Sequence, residues 1–461
     1  MGIFMPDGKQ HTERLIEFIT ADHRFPDEVL HEAKRAFLGF YAAAFSGIAS
    51  PIWASSRDAM HEISPVGAHV ALGTERGWAL QDAAFLNAIA GNVLDFDDTH
   101  LPTIVHPSSM VVPVLWAKAQ AQPIAGLELL RAMILSFEVM CRVGNATHPD
   151  AYKRGFHVTA TCGSIGAALA TALLEKCSPD TLRNVIGLSA NLGAGLIANL
   201  ATPAKAVSVG NAVRNGMLTP VFVRAGITAS PVALEGSFGF LQAMSDSSQA
   251  SELVQGLGVG GEASRWEILQ VAQKPYPTGV VLNPVIDACL ALQADPRCQL
   301  DKVKQIEVFG HSLLKDRADR PIVKSVPDAR LSVQHTVAVC LLHGLPSVRS
   351  FHASAFEDIV TQRLGQLVSV HVDPQIDVEG ARVRLTMVDG TVFERDIQTG
   401  RGSLANPLSD KDLEDKLVKS VVESFPNHDP SAFIRSVWAL DGSKDASELF
   451  SYLPRGEVTP D

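Results

Sequence analysis

From about Thr12 to Ala272, apolar residues recur at the three- and four-residue steps of a helix face. LHEAKRAFLGFYAAAF (Leu30 to Phe45) shows the pattern, and ALQDAAFLNAIAGNVLDF (Ala79 to Phe96) repeats it with small residues that let helices approach closely. SPDTLRNVIGLSANLGAGL opens with Ser178 as N-cap, Pro179 at the first helical position and Asp180 in the first turn. Ala160 to Leu174 is rich in Ala, Gly, Thr and Ser and predicts a tightly packed buried helix. It is shorter than the roughly 20 residues a bilayer span needs, so no membrane partner is expected.

Near Lys274 the texture changes. KPYPTGVVLNPV breaks regularity with three prolines before IDACLALQ returns to a helix. KQIEVFGH (Lys304 to His311) and QLVSVHVD (Gln366 to Asp373) alternate in the manner of strands. ARVRLTMVDGTVFERDI reads as two strands joined by an Asp389-Gly390 turn. Between them, LSVQHTVAVCLLHG (Leu331 to Gly344) predicts a buried helix that stops at glycine. After Gly402, DKDLEDKLVKSVVESF is helical again. The reading is mostly α: an all-helical domain over 1–272 and 401–461, and a smaller α+β domain over 273–400.

Length supports two domains, since 461 residues exceed what one ordinary core needs. With 46% hydrophobic and 19% charged residues the chain fits a well-buried enzyme. The net charge of −11, without a basic tract, argues against nucleic acid as a partner. Six scattered cysteines lack CxxC spacing and fit reduced thiols in the cytoplasm, not a disulfide framework or a zinc site. MGIFMPDGKQHTERL has no basic region followed by an apolar run, so no signal peptide is expected.

Four segments carry candidate chemistry. GNVLDFDDTHLPTIVHPSS crowds Asp95, Asp97, Asp98, Thr99, His100 and His106 into one stretch. If the preceding helix runs through Asp98, then Asp95, Asp98 and Thr99 share a face, and the turn at Pro107 returns His106 toward them. Acids at a helix C-terminus oppose its dipole. The spacing of Asp97, Asp98, His100 and His106 matches no standard metal motif, and no metal is expected. In KRGFHVTATCGSIGAA, His157 stands where the buried helix starts, a place that favours the neutral, proton-accepting imidazole. In ATPAKAVSVGNAVRNG, Lys205 sits in a loop before Ser208, Gly210 and Asn211 at a helix start, an arrangement suited to a carboxylate or phosphate. It lacks the Gly-Lys-Ser/Thr ending of a P-loop. QKPYPTG places Lys274 and Tyr276 at the domain boundary. Each segment reads equally as ordinary structure: an acidic helix end, a core histidine, a surface lysine, an irregular linker. Together they supply acceptors (Asp95, His106, His157) and cations (Lys205, Lys274), the equipment for removing a proton beside a carboxylate.

At these residues the sequence resembles the MmgE/PrpD family over almost its whole length. The matching blocks are LDFDDT…HPSS, GFHVTATCGSIGAALA, PAKAVSVGNAVRNG, QKPYP and DARLSVQHTVAVCLLHG, in the family's order. The resemblance implies a large helical domain with a smaller α+β lid, an active site between them and a homodimer. It also implies chemistry on small polycarboxylates without metal or organic cofactor. Asp95, Thr99, His106, His157, Lys205 and Lys274 fall on the family's active-site positions. His157 is then the expected base, with Asp95 and His106 positioning the reacting group; Lys205 and Lys274 bind carboxylates, and Thr99, Ser208 and Tyr276 help hold substrate. The family often places a histidine after K-x-[YFW]-P, where this chain has Gly279 and Asn283, so Tyr276 or Lys274 is expected to take over that proton transfer. The leading expectation is a dehydratase of the 2-methylcitrate dehydratase type. An epimerase of the iminodisuccinate type, a cis-aconitate-type decarboxylase and a non-catalytic carboxylate binder are the alternatives.

Overall fold

The computed structural model describes residues 11–258 and 262–458, so the expectation for Met1–Gln10 lies outside the described residues. Two units emerge. One takes the chain up to Val93, Asp97–Val271 and Asp410 onward; the other takes Leu94–Phe96 and Ala272–Ser409.

The first unit is built around the helix Val158–Leu174. All of its residues except Leu173 are buried, because alanines, glycines and threonines leave no polar face to present to water. Helices Pro107–Ala121, Gly126–Thr147, Pro179–Leu192 and Ala204–Arg224 pack around it. Missing side chains set the closeness of two of these contacts. A Cβ at Gly163 would fall 2.5 Å from Met110 atoms, and one at Gly216 would fall 2.6 Å from the Ala167 Cβ and 2.8 Å from the Ala168 backbone nitrogen.

These contacts also give direction. The His106 N–H donates to Thr159 Oγ1 at 3.2 Å, and Met110 meets Gly163 four residues further along both chains. The His157 ring lies 3.3 Å from Ser208 Oγ, and Ala167 meets Gly216 further on. The helices Pro107–Ala121 and Ala204–Arg224 therefore run parallel to Val158–Leu174, and the N-terminal ends of all three gather at one place.

Two expected boundaries differ. The helix beginning at Leu80 stops at Asn92 instead of continuing to Phe96 or Asp98. Asp95 takes a left-handed backbone (φ +55°) that no helix can absorb. Asp95, Asp98 and Thr99 therefore do not share a helix face. Lys205 is the second residue of the helix Ala204–Arg224, not part of a loop, its N–H bonding the Thr202 carbonyl at 3.2 Å.

The second unit centres on a four-stranded sheet in the order Val368–Val372, Val303–Gly310, Ala381–Met387, Val392–Ile397. The first pair is parallel and the others antiparallel. Along Ala381–Met387 every second residue is buried, so Ala381, Val383, Leu385 and Met387 form the inner face. The helix Asn283–Gln293 packs on the sheet, with Val333–His343 behind it ending at Gly344 (φ +79°). The hairpin turns at Gly390 (φ +83°), where the left-handed backbone needs glycine. Among the described residues no single helix is long and apolar enough to cross a membrane.

Candidate active site

His106 is the N-cap of Pro107–Ala121 and His157 the N-cap of Val158–Leu174, so two imidazoles stand at adjoining positive helix ends. Pro107, at the first helical position, fixes the first start. Both histidines are buried, at 5% exposure each. Their hydrogen bonds select the tautomer. His106 Nδ1 lies 2.8 Å from the Asp98 carbonyl, which can only accept, so Nδ1 carries the hydrogen. The same nitrogen is 3.4 Å from Thr99 Oγ1 and 3.5 Å from Asp97 Oδ1. Ser208 Oγ donates to the Lys205 carbonyl at 2.7 Å and is left to accept from His157 Nδ1 at 3.3 Å. In the neutral form of either ring Nε2 is then the nitrogen with the lone pair, the atom able to take a proton.

The carboxylates nearby serve the same helix ends. Asp98 accepts from the Ser108 N–H at 3.1 Å and from the Ser108 hydroxyl, so it closes the first turn of Pro107–Ala121. The acid expected to oppose a helix C-terminus thus complements the N-terminus of the next helix. Burial pushes the Asp98 carboxyl up to about 7 against those two bonds, with Asp97 adding to the rise. Asp97 accepts from Asn92 Nδ2 at 2.8 Å and Ser109 Oγ at 2.5 Å. His100 turns to a separate network, with Thr103 at 2.7 Å and Glu267 at 3.0 Å. Burial raises the Glu267 carboxyl, but His100, Arg142 and Arg265 outweigh it and hold the group at about 2. Asp98 and His100 are thus committed to Ser108 and Glu267, so Asp97, Asp98, His100 and His106 do not converge as a ligand set.

In the second unit, Lys274 is 3% exposed in its side chain and clamps Asp95, bonding its carbonyl at 3.0 Å and its carboxylate at 3.1 Å. This double contact holds Asp95 in its left-handed conformation. The Tyr276 hydroxyl donates to Asp287 Oδ1 at 2.6 Å, and burial together with that carboxylate raises it far above the usual phenol range. Tyr276 is therefore a fixed donor and poorly suited to accept a proton. Where the family histidine would stand, Asn283 Nδ2 donates to the Arg401 carbonyl at 3.3 Å, and a Cβ on Gly279 would come within 3.2 Å of Leu331.

The first unit therefore brings Thr99, His106, His157 and Ser208 together, with the Lys205 backbone in the same set. The second ties Asp95 to Lys274 and Tyr276 to Asp287. Two residues escaped the sequence reading. Thr159, one turn into the buried helix, holds the His106 backbone, and only the helix register exposes that role. Arg330 lies buried in the short helix Val326–Leu331. Its position inside the matching block DARLSVQHTVAVCLLHG was the signal that could have found it.

The MmgE/PrpD N-terminal domain matches residues 15–253, and the MmgE/PrpD C-terminal domain matches residues 276–441. Similar proteins include the cis-aconitate decarboxylase of Mus musculus, 27% identical over 92% of this chain and 88% of its own length. The human cis-aconitate decarboxylase is 26% identical over 96% of this chain and 95% of its own length. That of Aspergillus terreus is 26% identical over 82% of each chain.

Proposed function

Because the chain belongs to the MmgE/PrpD family, we propose that it is a lyase acting on a small polycarboxylate through proton transfer at carbon beside a carboxylate. The relatives named as cis-aconitate decarboxylases put decarboxylation first, ahead of the dehydration expected from sequence. The observation that carries the reading is the pair of buried imidazoles at helix N-termini, each with its Nδ1 hydrogen committed.

In this reading a substrate carboxylate sits at the gathered helix ends, where the positive helix dipoles and the first-turn Lys205 favour negative charge. For decarboxylation, the bond to one carboxyl carbon breaks and leaves as carbon dioxide. Its electron pair passes into the remaining acid, and a histidine Nε2–H protonates carbon. A positive helix end makes the imidazolium a stronger acid, which suits that delivery. For dehydration or epimerisation the same Nε2 lone pair removes a proton, and the cations meet the enolate-like charge.

One assay separates these outcomes: incubation with cis-aconitate, 2-methylcitrate and iminodisuccinate in deuterated water, followed by NMR and carbon dioxide release. Gas with deuterium at the product carbon is expected. Loss of water from 2-methylcitrate would make the protein a dehydratase, and exchange without net loss an epimerase. Ligand binding without turnover of any acid would leave a non-catalytic binder. His157→Ala is expected to lower turnover by about 10²- to 10⁴-fold, the usual share of a positioned acid or base. Undiminished turnover would remove His157 from the reaction.

A further inference from the structure

The second unit contains a charge that its own residues do not satisfy. Arg330 is 3% exposed, and its Nε and Nη2 are buried without a hydrogen-bond partner among the described residues. Burial pulls the guanidinium down to about 9, with the Asp95 charge pushing back. Asp95 is already claimed by Lys274 through two contacts. Asp95 thus answers an ammonium and a guanidinium at once. A buried, unpaired guanidinium is strongly unfavourable unless something pairs with it.

Other unsatisfied polar atoms lie in the segments around it. The Gly279 N–H donates to the Arg330 carbonyl at 3.4 Å, and Thr278, directly before it, is fully buried with its hydroxyl unpartnered. Gln273 Oε1 and Asn283 Oδ1 are likewise buried and unpartnered. Asn283 is tied to the Arg401 carbonyl, and the next residue, Gly402, lies against the Gln273 carbonyl. Buried polar groups of folded proteins nearly always have partners, so a buried guanidinium with two unpartnered nitrogens marks a place completed by a ligand.

We propose that Arg330 is the anchor of a carboxylate-recognition subsite in the second unit, its unpartnered Nε and Nη2 answered by one carboxylate of the bound polycarboxylate. The assignment rests on the reading of the chain as a polycarboxylate enzyme. The planar fork suits a carboxylate, donating to both of its oxygens in one plane.

The test uses the full-length protein and tricarballylate, a saturated tricarboxylate, with calorimetry for binding and thermal unfolding without ligand. Arg330→Met keeps the unbranched stem of the side chain and removes the charged guanidinium. It is expected to weaken tricarballylate binding on the order of 100-fold, the loss of a charge-assisted pair. Because it removes an uncompensated buried charge, it should leave the unliganded melting temperature unchanged or higher. Arg330→Lys, which keeps charge but not the fork, should recover only part of the affinity. Wild-type affinity in Arg330→Met overturns the subsite. So does a lowered melting temperature or failure to fold in Arg330→Met with recovery in Arg330→Lys, since both describe an arginine that serves the fold. Because binding is read without turnover, the outcomes separate. Arg330-dependent binding with no turnover of any acid sinks the lyase reading and keeps the subsite; turnover with an Arg330→Met KM like wild type does the reverse.

Discussion

Ser208→Ala tests the tautomer argument most directly. The serine hydroxyl gives its hydrogen to the Lys205 carbonyl at 2.7 Å and accepts from His157 Nδ1 at 3.3 Å. Removing it leaves the Nδ1–H without that acceptor, and the ring redistributes between its two neutral forms. A neutral hydrogen bond contributes about 0.5–1.5 kcal/mol, and the 3.3 Å separation puts this one in the lower part of that range. At about 1.4 kcal/mol per tenfold, the active tautomer and kcat should fall roughly two- to fivefold. Ser208 is only half-buried, so its truncation should spare the fold. Ring ¹⁵N chemical shifts report the tautomer without any substrate, and steady-state rates report its consequence. An unchanged His157 ring in the variant would refute the relay. A raised KM with constant kcat would instead make Ser208 a substrate-binding residue, as its sequence neighbourhood implied.

Two further outcomes follow from the helix ends and their packing. The Asp98 carboxyl, raised to about 7 in the folded state, keeps a proton that the unfolded chain releases above about 4; its contribution to stability is full below that pH and lost as pH climbs through 7, by at most about 4 kcal/mol. Asp98→Asn should therefore flatten the urea-midpoint profile between pH 4 and 7, and curves parallel to wild type would contradict the shift. Gly216→Ala puts a Cβ 2.6 Å from Ala167 and 2.8 Å from backbone, and should cost about 1–3 kcal/mol and lower turnover. Full stability and activity in that variant would remove the argument that this crossing sets the site.

The repeating apolar pattern revealed the buried helix Val158–Leu174 and the Asp389-Gly390 hairpin because both depend on local periodicity and turn chemistry. It failed at Asn92, since nothing in the alternation of GNVLDFDD forbids another helical turn. The break comes from a left-handed Asp95 held by a lysine far along the chain. His157 at a helix start was legible, and so was His106, whose following proline marks a first helical position. The direction of the helices was not. Parallel packing follows from which glycine meets which side chain, and that turned Asp98 from an unfavourable helix end into a cap. Arg330 gave no signal of its own in the sequence, because the lack of hydrogen-bond partners at its Nε and Nη2 is a property of tertiary structure.

Placing both buried imidazoles at the N-cap of a core helix has a consequence for how this chain can change. Their aim is tied to interior packing, so drift in loops leaves the reactive nitrogens where they are, whereas volume changes deep in the helical unit misalign them. Substitutions at the exposed ends of these helices are then easier to accommodate than any change in the volume of the residues packed beneath the histidines.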